Sequence, residues 1–371
     1  MLLRTPLLPE TGGLDVGALS RLFDDVTTSY KHLFFAALLA EFQANGLSER
    51  IFALKSLGLG MLVAAWHPVR VYRLSLGARD QAALVLDLLP PGDDGPVPAA
   101  RLRASLAAAG PDCGALLRFV PCRLLSPFFP GQLRGVPDHR KDRFIRALAD
   151  DGFNDVRPLY RFSGPDAIEL HPDWAAYLTA NFPIVVAWAE RRWIAYLQAR
   201  NPAVPAVSEK LSAPPRRGPL RAQTRYWSKA LAMMPEAPRC IYTDRPLDRE
   251  RFHLDHFLPW TFVCHDSLWN LLPVSPEANI SKGNRLPDAS YLPAFAASQH
   301  AGLTVARRVM TPREWDAATA PFLGELRIPE AALLDAGSLR DSYHRLVGSQ
   351  LDIARAIGFE PGWRFATQPA A

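Results

Sequence analysis

The chain has 371 residues, 49% hydrophobic and 21% charged, with a formal net charge of +5. That balance excludes a disordered chain, fits a globular protein of more than one domain, and suits a polyanionic partner without requiring one. The four cysteines, Cys113, Cys122, Cys240 and Cys264, form no CxxC pair, which excludes a disulfide scaffold and points to a reducing, cytoplasmic setting. The first residues lack the ordered regions of a signal peptide, and the longest apolar run, at 57–66, is well short of the ~20 residues that cross a bilayer, so no membrane is expected.

In chain order, residues 15–66 read as helices. Leu19, Leu22 and Phe23 begin one apolar face, and Tyr30, Leu33, Phe34, Ala37, Leu38 and Phe42 carry another at helical spacing. The run of Pro, Gly and Asp at 90–98 is a loop, followed by a helix over 98–109. Many Pro, Gly and Asp residues break 119–170, with short strands at 159–162 and 167–170. Residues 173–200 are helical and end at Asn201-Pro202. Pro202, Pro205, Pro214, Pro215 and the Arg216-Arg217 pair make 201–218 a Pro-rich linker. The organisation is then a mostly helical 1–200 domain for recognition or regulation, the linker, and a second folded region from residue 219 onward.

A helix starts at Pro219 and stops at Pro235, with Leu220, Trp227, Leu231 and Met234 on one side. Arg221, Arg225 and Lys229 share another side at i, i+4 spacing. This is either a basic ridge that follows a phosphate backbone or a solvated helix face. Residues 252–256 form a strand, 257–267 a loop, and 268–273 a second strand. Ser275 is an N-cap for a helix over 276–284, with Pro276 at its first position. This order brings Asp255 and His256 opposite Asn279. Such residues can hold one hard metal ion, a water and a phosphate at a single point. The last stretch, 312–371, gives two or three helices. Thr311-Pro312 with Glu314 reads as a capped start, and Leu339, Tyr343, Leu346, Leu351 and Ala354 as an apolar stripe.

With Asp255-His256, Asn270, Asn279 and Lys282 in this order, flanked by Pro259-Trp260 and Trp269-Asn270-Leu271, residues 240–287 resemble the HNH endonucleases of the ββα-metal fold. The resemblance implies a small α+β nuclease core, and with the helical reading of the rest the chain is mainly α and multi-domain. Residues 219–295 would hold the HNH domain with its preceding basic helix, and 296–371 a helical region packing on the rest. It implies Mg²⁺ or Mn²⁺ held by Asp255 and Asn279, with His256 as general base, since imidazole titrates near neutrality. It also implies that Asn270 hydrogen-bonds the loop and fixes the histidine. Lys282 would contact phosphate and stabilise charge, with Arg285 a weaker candidate for that task. Many HNH domains carry a structural zinc on two CxxC pairs. Here those places read Cys240 with Thr243 and Ser275 with Ala278, so no structural zinc is expected.

The expected activity is metal-dependent hydrolysis of DNA phosphodiesters, leaving a 5′-phosphate and a 3′-hydroxyl. One site nicks one strand, so double-strand cleavage requires a homodimer or repeated nicking. Residues 1–200 would recognise DNA, a partner protein or an activating signal. A restriction or anti-phage role follows by analogy alone. The rival readings are a non-catalytic nucleic-acid-binding subunit of a larger complex, which would keep its affinity in EDTA, and an RNA-cleaving nuclease.

Overall fold

A computed structural model describes residues 8–88, 97–214, 218–236 and 238–366. Most of the 90–98 loop, the first seven residues, and Pro215, Arg216 and Arg217 of the linker lie outside the described residues. The chain is mainly helical with two small antiparallel sheets. It divides into two compact units, residues 1–202 with 207–214 and residues 203–206 with 215–371. The division falls in the proline-rich stretch. Among the described residues, no helix is long and apolar enough to cross a membrane.

In the first unit, helices α1 (Tyr30–Ala44) and α2 (Leu54–Trp66) pack closely. Gly60 allows it, because a Cβ there would lie 2.8 Å from the Ala37 methyl. Between them lies β1 (Ile51–Ala53), which interrupts the continuous helical reading of 15–66. Its pairing is non-local: Phe52 sits opposite Ile168 in β3 (Ala167–Leu170), which also pairs with β2 (Tyr160–Phe162). A three-residue strand has too little periodicity to announce itself. Helix α4 (Asp138–Asp151), which follows α3 (Ala99–Ala109), buries only Ile145 and Ala149, four residues apart. Its many charges read as a broken loop in sequence. Arg123 ties its start by bonding Asp138 (2.8 Å) and Asp142. Helix α5 (Pro172–Arg200) kinks at Asn181, where φ is −119°, just before Pro183. Proline both lacks a donor and crowds the preceding turn, which explains the kink.

The second unit comprises α6 (Arg221–Met233), β4 (His253–His256), β5 (Leu271–Val274), α7 (Pro276–Lys282), α8 (Leu292–Val309), α9 (Pro312–Gly324) and α10 (Ala336–Ala356). The hairpin pairs His253 with Val274 and His256 with Leu271. The second strand begins later than the sequence suggested, because Leu268–Asn270 form a 3₁₀ turn. Thr311 and Glu314 make the full capping box of α9. One apolar core runs from Trp227 through Phe257, Phe262, Trp269 and Leu272 to Leu339, Tyr343 and Trp363. Helix α8 buries Leu292, Phe295, Ala296, Leu303 and Ala306 along one face, with Gln299 and Gly302 among them. A Cβ on Gly302 would meet the Trp227 ring at 2.7 Å, and buried Gln299 donates to the Leu271 carbonyl (2.8 Å). The C-terminal helices therefore complete the core under the hairpin.

Candidate active site

The segment from β4 to α7 is closed by one side chain. Asn270, with no exposure, accepts from Leu258 N through Oδ1 and donates to Leu258 O through Nδ2, both at 2.9 Å. Phe257 N also donates to Asn270 O (2.9 Å). The amide replaces a backbone partner on both sides, so the residues between return to the strand end as a closed loop. Within it, Trp260–Val263 form one helical turn, capped by Cys264 at a φ of 58°.

Strand alternation puts His253 and Asp255 on one face of β4. Helix α7 presents Asn279 and Lys282, one turn apart, to that face. Asn279 Nδ2 lies 3.3 Å from His253 Nδ1, and Lys282 Nζ lies 3.0 Å from Asp255 Oδ1. Asp255 Oδ2 also accepts from the Tyr242 hydroxyl at 2.7 Å. Burial, and next the facing Asp255 carboxylate, push the Tyr242 phenol well above its ordinary pKa, so it remains a donor. Lys282 is 1% exposed and also donates to the His256 carbonyl at 2.6 Å. The sequence expected this ammonium at a phosphate, but the structure places it under the strand as a buried counter-charge. Its ammonium meets the Asp255 carboxylate and the His256 carbonyl, and almost none of the side chain is left for solvent.

His256, the next residue of β4, meets the loop instead. Its Nε2 lies 2.8 Å from Asp266 Oδ1. An ionised carboxylate there holds the proton on Nε2 and leaves Nδ1 as the ring's acceptor. Sequence reasoning treated Asp266 only as a loop residue. The available signal was loop closure: Leu258 and Asn270 meet, so any acid between them is returned toward His256. The loop is held from outside as well. Gln223 Nε2 donates to Asp266 O (3.0 Å), Ser267 Oγ to Glu325 Oε1 (2.8 Å), and Trp269 Nε1 to Glu325 Oε2. His265 Nε2 lies 3.7 Å from Glu325 Oε2.

The basic residues divide. Arg221 and Arg225 are exposed on α6, whereas Lys229 pairs with Glu314 at 2.6 Å. Arg225 and Lys229 line a cleft of about 250 Å³ that Asp266 also lines. Arg285 does not project freely. Its guanidinium bonds the Ser281 and Lys282 carbonyls at the end of α7, where a cation complements the helix dipole. Ser275 occupies the N-cap position of α7 but makes no side-chain cap bond. Its hydroxyl lies 3.8 Å from Cys240 Sγ, and its backbone N–H is 3.5 Å from the same sulfur. A thiol and a hydroxyl thus meet at the start of α7. Cys240 is buried and Cys264 half-buried.

Residues 240–288 match the family model of the HNH endonucleases. This segment of the chain is thus an HNH endonuclease domain, which implies a nucleic acid as the thing acted upon. No curated protein and no solved structure matches the chain.

Proposed function

We propose that this protein is a divalent-metal-dependent endonuclease that hydrolyses phosphodiester bonds in DNA. The observation that carries this reading is the carboxylate–imidazole pair of loop residue Asp266 and His256, with His256 next to buried Asp255 on β4. His256 Nδ1 takes the proton of the attacking water, and Asp266 keeps the ring in the orientation and tautomer that make this possible. Asn270 fixes the loop that carries Asp266.

The donor set fits a hard divalent ion. A carboxylate has about four lone-pair sites, and Lys282 and Tyr242 each use one on Asp255. Asn279 can present its amide oxygen toward the same face by turning its amide, and His253 borders it. Among the described residues, no three His, Cys, Asp or Glu side chains cluster as a complete metal cage. Asp255 and Asn279 would therefore hold an ion such as Mg²⁺ or Mn²⁺ that keeps waters and binds substrate phosphate. When bound, such an ion supplies Lewis-acid stabilisation of the phosphoryl group and the leaving 3′-oxygen.

The first unit would supply recognition or control, the arrangement of a restriction or anti-phage effector. A single site nicks, and linear products require a second copy or a second event. The test is incubation of the full chain with supercoiled plasmid in Mg²⁺ or Mn²⁺, with EDTA as control. Metal-dependent nicking or linearisation supports the reading. Binding that survives EDTA with no cleavage under any metal points to the non-catalytic subunit, and cleavage of RNA alone points to the ribonuclease.

A further inference from the structure

The cleft beside the Asp266 loop takes no part in the hydrolytic step just derived. It opens between α6, α9 and the loop, with a volume of about 250 Å³. Leu268, Met310, Ala318 and Pro321 give it an apolar lining. The cations among its lining residues are Arg225 and Lys229. Lys229 already meets Glu314, so among the described residues that line the cleft Arg225 is the cation available to an incoming charge. A bare phosphate would leave the apolar lining unused. An apolar ligand would leave Arg225 unanswered. A nucleotide satisfies both, with a base whose faces are apolar and a phosphate for the guanidinium.

Position sharpens the match. Asp266 lines the cleft and bonds His256 Nε2 at 2.8 Å, so the cleft adjoins the carboxylate that orients the general base. A base that is stacked and paired in a duplex cannot enter a cleft of this size. An unpaired or extruded base can.

We propose that this cleft seats one unpaired nucleobase beside the scissile phosphate, so that the enzyme acts on DNA that is single-stranded, bulged or locally opened. The proposal deepens the nuclease reading above and rests on it for the identity of the neighbouring chemistry.

The test measures binding and cleavage separately. The full chain carrying His256→Ala, in EDTA, is titrated by fluorescence anisotropy with a labelled oligonucleotide as a single strand, as a perfect duplex and as a duplex with one bulged base. The single strand and the bulge should bind about tenfold more tightly than the perfect duplex, in keeping with one base–side-chain stacking contact. Ala317→Trp fills the cleft from an exposed helix position and should remove that preference. Equal binding of all three ligands, or a preference that survives Ala317→Trp in folded protein, overturns the proposal. Arg225→Ala is the second variant. It should weaken the bulged ligand more than the perfect duplex, and an equal loss on both overturns the cleft assignment. Cleavage by the unsubstituted chain in Mg²⁺ reports the nuclease reading by itself. Preference without cleavage keeps the cleft and removes the nuclease, whereas cleavage without preference does the reverse.

Discussion

His256 in the second unit and His32 in the first are both nearly buried, at 8% and 5% exposure. Their surroundings differ in kind. His32 lies among aromatic rings, with Phe23 at 4.2 Å, Tyr196 at 5.0 Å and Trp193 at 5.3 Å between centroids. Among the described residues its Nδ1 has no hydrogen-bond partner. Burial first, and then Arg192, Arg200 and Lys31, push its pKa down to about 3. His256 instead meets the Asp266 carboxylate. Burial by itself does not make an imidazole a catalytic group. An orienting carboxylate with a defined tautomer can. Rings alone make the imidazole a packing element that penalises its own protonation.

The largest effect expected from this contrast is on cleavage. His256→Ala should lower the rate of plasmid nicking ~10²–10⁴-fold, the range of a lost general base. His32→Phe, assayed beside it, should leave that rate near the unsubstituted level. An equal loss in both folded variants would break the comparison. The next effect is on stability. Lys282→Met leaves Asp255 buried without its counter-charge, which should cost about 3–5 kcal/mol, read as a lower urea midpoint for the second unit. If the midpoint holds and the salt dependence of DNA binding instead falls by about one phosphate contact, Lys282 touches substrate as the sequence suggested.

Asp266→Asn tests the orienting partner directly. It should reduce kcat ~10–100-fold with little change in KM, the scale of a lost partner to a functional histidine. An unchanged kcat would reduce Asp266 to a loop residue. The smallest effect concerns acid. The unfolded His32 imidazole binds a proton near 6.5 and the folded one only near 3. Stability of the first unit is therefore fully present above pH 6.5 and falls as pH drops toward 3. The loss between about pH 7 and pH 5 should be on the order of 2 kcal/mol in thermal or urea melts, and His32→Phe should abolish it. A slope that persists in His32→Phe assigns the acid sensitivity to other groups.

Local chemistry was legible where one short segment carries it. Asp255, His256, Asn270 and Asn279 stand in an order that strand, loop and helix bring together with few residues between, so the sequence by itself determined the hairpin, the helix after it and the match to the HNH endonucleases. The capping box of α9 and the long α5 were legible for the same reason, because their signals are periodic or only a few residues apart. Tertiary structure decided the rest. It turned Lys282 inward onto Asp255 and Arg285 back onto its own helix end. It brought Asp266 to His256 and held that loop with Gln223 from α6 and Glu325 from the end of α9, far apart in sequence. It also seated α8 against α6, through the close approach of Trp227 to Gly302, and formed β1, through a partner strand far along the chain. The physical reason is common to these cases. A side chain's partner is set by which surfaces the core brings together, and pairings that distant leave no periodic trace in the residues that make them.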